Sequence, residues 1–242
     1  MSIILAIETS TELASAALLY NGQLITRESA GVQTHSETIL PMVQQLLAEG
    51  GIALSRCDAI AFGVGPGSFT GVRTACGVVQ GLAFGAELPV APIVTLAAMA
   101  QAALEATSAR DVLAILDARM GEVYWAQYRH DAHGWQELVA PCLSSAREVA
   151  ARGAVQACGN GLTAYVDDFA AQPFAASGLP LLMPHAAQVA TLGQIAVAQG
   201  RTVPLQEAQP MYLRNKVALT TAERQVRDLL KDADKRAAKG VA

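Results

Sequence analysis

Lysine is missing from residues 1–215, and that absence divides the charge of the 242-residue chain. Residues 1–213 hold nine arginines against 17 acids, a net charge of −8. Residues 214–242 hold eight basic residues, Lys216, Lys231, Lys235 and Lys239 among them, against four acids, a net of +4. The formal total of −4 excludes a protein that grips nucleic acid with its whole surface. Aromatics are scarce, 12 in all, so large rings do not build the core. The four cysteines, Cys57, Cys76, Cys142 and Cys158, form neither a Cys-x-x-Cys pair nor a dense framework, which points to free thiols. No secretory n-region or h-region precedes the first strand-like run, and a cytoplasmic protein is expected. The longest apolar stretch, about 75–104, contains Gln80, Glu87, Pro89 and Pro92 and is flanked by Arg73. A membrane span wants about 20 uninterrupted apolar residues, so no membrane partner is expected.

Alanine is abundant instead, with 47 residues inside a hydrophobic fraction of 52%. Small side chains let helices approach closely where bulky ones would fill a wide core. Residues 2–8, 13–20 and 23–29 read as a three-stranded meander, with Asn21-Gly22 as its hairpin turn. A helix over about 36–49 follows, with Pro41 marking or kinking its start. Then come a buried strand at 59–64, the turn Gly65-Pro66-Gly67-Ser68-Phe69-Thr70-Gly71, a helix at 70–86, a strand at 89–94 and a helix N-capped by Thr95.

From Asp111 the order restarts. Residues 112–128 read as strand, turn, strand, and 135–142 as a third strand. Ser145 and Glu148 have capping-box spacing, and a strand at 154–158 enters Gly159-Asn160-Gly161. An offset of about 96–108 residues implies two copies of one βββαβα unit, the second reduced. Beyond Gly161 we expect a helix to about Ala171, a proline-rich stretch, a helix at 185–199 stopped by Gly200, and a polar helix at 220–239. The division is 1–108, 109–214 and a basic extension, 215–242.

Several residues could carry chemistry. Glu8-Thr9-Ser10-Thr11 closes the first strand where actin-type and sugar-kinase-type duplicated domains cradle phosphate and a carboxylate organises Mg²⁺; ordinary turn residues are the plain alternative. The glycine turn at 65–71 leads a helix N-terminus that favours anions. Arg73 just inside that helix opposes the macrodipole unless it faces an anion or an acid, and could equally be a surface arginine over the sheet edge. His35 has Ile39 where a second metal ligand at i+4 would stand, so no metal is expected. Asp117 and Arg119 either bind a polar ligand or pair with each other. The helix at 70–86 is apolar on nearly every face and carries Gly77, Gly81 and Gly85 at i+4 spacing. Three mid-helix glycines, each costing about 1 kcal/mol relative to Ala, need a packing reason. One sheet covers one face only, so the rest forms, with part of 36–49, a partner-binding patch.

The segments IETST at 7–11, HSETILP at 35–41, GPGSFTGVR at 65–73, DARMGEVYWA at 117–126, GNG at 159–161 and PMYLR at 210–214 together resemble the bacterial TsaB (YeaZ) family over about residues 2–214. The resemblance implies an α/β, actin-like ATPase (ASKHA, ribonuclease H-like) fold. It implies a non-catalytic paralogue of TsaD that, with TsaD and the ATPase TsaE, supports transfer of threonylcarbamoyl from threonylcarbamoyl-AMP to N6 of adenosine 37 in tRNAs reading codons that start with A. Contact with tRNA would be indirect, and homodimers would use the same face as the TsaD pairing. The interface implied comprises Ile39, Met42, Val43, Leu46, Val72, Cys76, Gly77, Val79, Gln80, Gly81 and Phe84. A residual nucleotide or anion pocket would draw on Thr9, Ser10, Gly65, Gly67, Ser68, Asp117, Arg119, Gly159 and Gly161. No cofactor is required, and any ATP or ADP would bind weakly at or near the partner interface. The rival reading is a stand-alone ATPase or small-molecule kinase of the same fold.

Overall fold

The computed structural model describes residues 2–30 and 34–214, so the expected 220–239 helix and the whole basic extension lie outside the described residues. The first half contains β1 (Ile4–Glu8), β2 (Leu13–Tyr20), β3 (Gln23–Ala30), α1 (His35–Gly50), β4 (Ala59–Gly65), α2 (Phe69–Ala86), β5 (Val90–Val94) and α3 (Thr95–Thr107). The second contains β6 (Asp111–Arg119), β7 (Glu122–Asp131), β8 (Gly134–Ser145), β9 (Gln156–Cys158), α4 (Gly161–Ala164), α5 (Val166–Phe169) and α6 (Ala186–Ala198). The first hairpin turns where both Asn21 and Gly22 have positive φ, 48° and 76°, the backbone that an Asn-Gly turn supplies.

Two sheets result, ordered β3-β2-β1-β4-β5 and β8-β7-β6-β9. In each, three antiparallel strands are followed by one that runs parallel to the first. The second copy lacks counterparts of α1 and β5, and a single 3₁₀ turn at Ala146–Glu148, carrying the Ser145–Glu148 capping box, stands between β8 and β9. The helix expected after Gly161 is broken into α4 and α5 at Tyr165, whose φ of −129° and ψ of 43° are not helical. Thr95 is the first residue of α3 and not its cap, because its hydroxyl serves Glu8 and the Gly65 N–H instead.

Strand alternation sends Leu5 and Ile7 to one face of the first sheet, under α1 and α2, and Ile4 and Ala6 to the other. That second face is paved with Ala6, Ala17, Ala59, Ala61 and Ala91, and α6 lies on it. The approach is close: a Cβ on Gly193 of α6 would stand 2.5 Å from the Ala61 Cβ. α3 covers the second sheet with Leu96, Met99 and Ala103 against Val112, Ala114 and Leu116. The division at residue 108 therefore separates the sheets but not the packing, since α6, which follows the second sheet in the chain, covers the first.

Candidate functional site

The turn at 8–11 and the glycine turn at 65–71 lock into each other. Thr9 Oγ1 donates to the Gly71 carbonyl at 2.8 Å, and the Ser68 N–H donates to the Ser10 carbonyl at 2.7 Å. A Cβ on Gly71 would overlap the Thr9 carbonyl, and one on Gly67 would lie 2.7 Å from Ser10 Cβ. Glycine is needed here for this contact between turns. The Gly71 N–H is taken as well, by Ser68 Oγ at 3.3 Å. The Ser68 and Gly71 N–H groups are thus engaged, whereas the Ser10 hydroxyl, buried, has no hydrogen-bond partner among the described residues.

A cleft of about 530 Å³ separates these turns from the second half. Ser10, Thr11, Glu12, His35, Gly67, Ser68 and Phe69 form one wall; Leu116–Arg119, Tyr124 and Asn160 form the other; Met211–Arg214 close it at the side. Asp117 accepts from the Arg119 N–H at 2.7 Å and from Tyr165 OH at 2.9 Å, while Asn160 Oδ1 accepts from the Asp117 N–H at 2.9 Å. Arg119 pairs with Asp117 at 3.2 Å and crosses the cleft to Glu12 at 2.8 Å. Asp117 and Arg119 thus satisfy each other. Burial, and then the bond to Asp117, push the Tyr165 phenol above its ordinary pKa.

Residues 208–214 run as a strap between the halves. Gln80 Nε2 donates to the Ala208 carbonyl at 2.8 Å, and the Met211 N–H donates to Val64 at 2.7 Å. Arg214 then reaches the Ala118 carbonyl at 3.0 Å and the Glu122 carboxylate at 2.6 Å. These partners lie 92 to 147 residues away, so local sequence gives no sign of them. The same holds for the Glu12–Arg119 pair; only Asn160, inside the glycine turn, stood next to a visible signal.

Of the nine pocket residues, the structure brings Ser10, Gly67, Ser68, Asp117 and Arg119 to the cleft wall. Thr9, Gly65, Gly159 and Gly161 are not part of it. Thr9 is buried against Gly71, and Gly65 faces the Met211 carbonyl. Gly159 and Gly161 allow their loop to lie on Ile115 of β6. Glu8 also turns away. Its carboxylate occupies the space left by the missing side chain of Gly63, accepting from the Ser10 N–H at 2.5 Å and Thr95 Oγ1 at 3.3 Å. Complete burial drives its pKa up against the lowering effect of these bonds. His35 Nε2 contacts the Thr11 carbonyl at 2.7 Å, and no group of three or more His, Cys, Asp or Glu converges as a metal site among the described residues.

The expected interface divides in two. Ile39, Met42, Val43, Leu46, Val72, Cys76 and Val79 are buried against the protein's own core, because they are the apolar stripe by which α1 and α2 sit on the first sheet. Gln80 is half-buried on the strap. Gly77, Gly81 and Phe84 are exposed, Phe84 at 75%, and a Cβ on Gly77, Gly81 or Gly85 would meet nothing within 4 Å. The glycine stripe therefore faces outward. No helix among the described residues is long and apolar enough to cross a membrane.

A family model described as TsaD, tRNA N6-adenosine threonylcarbamoyltransferase, matches residues 20–239. The chain is 40% identical to the Haemophilus influenzae tRNA threonylcarbamoyladenosine biosynthesis protein TsaB, over 88% of this chain and 94% of the relative. Its identity to the Escherichia coli TsaB is also 40%, over 89% and 96%. Among solved structures it is similar to YeaZ from Pseudomonas aeruginosa, at 41% identity and a TM-score of 0.81, covering 88% of this chain and all of that one. A second Pseudomonas aeruginosa structure, described as an uncharacterized protein similar to peptidase YEAZ, gives a TM-score of 0.82.

Proposed function

The chain belongs to the TsaB family of tRNA threonylcarbamoyladenosine biosynthesis proteins, with the α/β fold of its YeaZ and TsaD relatives, and we propose that it serves that pathway as a non-catalytic subunit. Its task in this reading is to dock on TsaD, and with TsaE to support transfer of threonylcarbamoyl to N6 of adenosine 37. The observation that carries the reading is the outward glycine stripe of α2. A row of Gly77, Gly81 and Gly85 that packs against nothing among the described residues weakens the helix without return from them, and a second backbone laid along it supplies the reason.

The chemistry of the cleft supports a non-catalytic role. Its arginines are already paired, its turn donors are engaged, and Glu8 is buried elsewhere. Among the described residues no serine or cysteine is hydrogen-bonded to a histidine, so a peptidase reading has no nucleophile–base pair to use. Burial raises every thiol, Cys57 to about 11 and Cys158 to about 12, which disfavours the nucleophilic thiolate. In this reading the chain needs no cofactor of its own, and ATP or ADP binds weakly near the docking face.

Reconstitution of adenosine-37 modification with TsaD and TsaE, with and without this chain, tests the role. Gly81→Leu tests the face. The variant is expected to keep or raise monomer stability, by up to about 1 kcal/mol from helix propensity, while TsaD affinity falls at least tenfold. Unchanged affinity in the folded variant refutes docking through α2, and ATP turnover by the chain alone refutes the non-catalytic role.

A further inference from the structure

We propose that Arg73 selects the charge and direction of the partner on the α2 face: the protein laid along the glycine stripe brings a carboxylate to this guanidinium, which Phe69 and Tyr212 hold ready. The inference rests on the TsaD-docking reading and names the chemistry that the partner presents at that face.

Between Phe69 and Ala86, α2 contains one charged residue, Arg73, and no acid. Phe69, Arg73, Gly77, Gly81 and Gly85 recur at i+4 and all five are exposed, so they form one outward ridge, with exposed Phe84 beside its far end. Arg73 stands one step before Gly77 on this ridge, about 6 Å along the axis. A backbone that fills the stripe and continues for one more turn covers Arg73. Covering a guanidinium without an anion removes its hydration and replaces it with nothing, so a partner that seals the ridge must supply one.

The described residues do not meet that need. Arg73 has no carboxylate partner among them, and its one hydrogen bond there runs from Nε to Tyr212 OH at 2.7 Å. Arg56, Arg110, Arg152 and Arg201 also lack a carboxylate partner among the described residues, but they lie off α2, and of the five only Arg73 is stacked on rings there. Its Cζ stands 3.5 Å from the Phe69 ring centroid and 5.3 Å from that of Tyr212, and the two rings meet at 5.5 Å. The stack and the Nε bond fix the plane of the guanidinium and leave Nη1 and Nη2 to receive a carboxylate in a paired contact. Order supplied before binding lowers the entropy cost of that contact. Near the positive end of the α2 dipole the incoming carboxylate gains further. The ridge is thus cationic at one end and apolar at the other, where Phe84 lies about 17 Å further along the helix. That asymmetry fixes which way the partner lies.

The test is the affinity of the full chain for TsaD between about 50 and 300 mM salt, for wild type, Arg73→Gln, Arg73→Glu and Gly81→Leu. Thermal melting checks that each variant is folded. Arg73→Gln should weaken binding by about tenfold or more at low salt, Arg73→Glu should weaken it further, and added salt should cost Arg73→Gln less affinity than it costs wild type. Unchanged affinity in Arg73→Gln overturns the proposal. A weakened Arg73→Gln complex that keeps the wild-type salt dependence overturns it too, since Arg73 then acts by packing and meets no carboxylate. Gly81→Leu separates the two readings. If that variant loses TsaD while Arg73→Gln is unaffected, the carboxylate alone is refuted; if it binds as wild type does, docking through α2 fails and the inference fails with it.

Discussion

His185 shows how much one half-buried ring can settle. It caps α6 with Nδ1 accepting from the Ala187 N–H at 3.1 Å, which only the neutral ring can do, while Nε2 lies 3.3 Å from Glu28. Burial lowers its pKa below the ordinary 6.5, and Glu28 opposes that shift without reversing it. The unfolded chain therefore binds the proton first as pH falls. Stability from this group is complete above about pH 6.5 and is lost as pH drops through 6.5 towards the folded-state value. Urea midpoints should hold between pH 8 and 7 and fall between 6.5 and 5. His185→Asn, a cap that does not titrate, should flatten that part of the profile. Residue types of this kind were legible in the sequence, but their directions were not. Glu8 is the clear case: it ends a strand on the same face as Ile4 and Ala6, so alternation turns it inward, beneath α3, and away from the cleft.

At the scale of elements, the same substitution should have opposite signs on two helices. Gly81→Ala places a methyl in open space on α2 and should stabilise by about 0.5–1 kcal/mol, the intrinsic preference of Ala over Gly in a helix. Gly193→Ala places it against the Ala61 Cβ, and the overpacking should outweigh propensity, for a net loss of about 1–2 kcal/mol. Urea denaturation of the two variants checks both signs. Element order, the Asn21-Gly22 hairpin and the duplicated topology could be read from periodicity and turn residues, because those signals act over a few residues. Which face of α2 met the sheet could not. Its glycines and its core stripe, Ala75, Cys76, Val79 and Ala83, are all small or apolar, so composition alone left the facing undecided.

At the scale of the whole molecule, the strap is what joins α2, the cleft and the second sheet. Arg214→Ala should cost about 1–3 kcal/mol, since it leaves the Ala118 carbonyl and Glu122 without their partner in a largely covered site. Hydrogen exchange should rise in the 119–121 turn before it rises in β1 or β4. The alanine excess acquires its meaning at this scale too. It paves the sheet face on which α6 lies, and so permits a late segment of the chain to return to the first half.

The amino-acid sequence by itself determined the two βββαβα copies, the reduction of the second, the family and the charge division, because each is written in local spacing or in sums over the chain. Only the tertiary structure decided which glycines face water, which carboxylate is buried and which arginines are paired. Those outcomes depend on residues 60 to 130 positions apart meeting in space, as Thr9 meets Gly71 and Gln80 meets Ala208. No local pattern records such meetings, since they arise from how the sheets and helices close on one another.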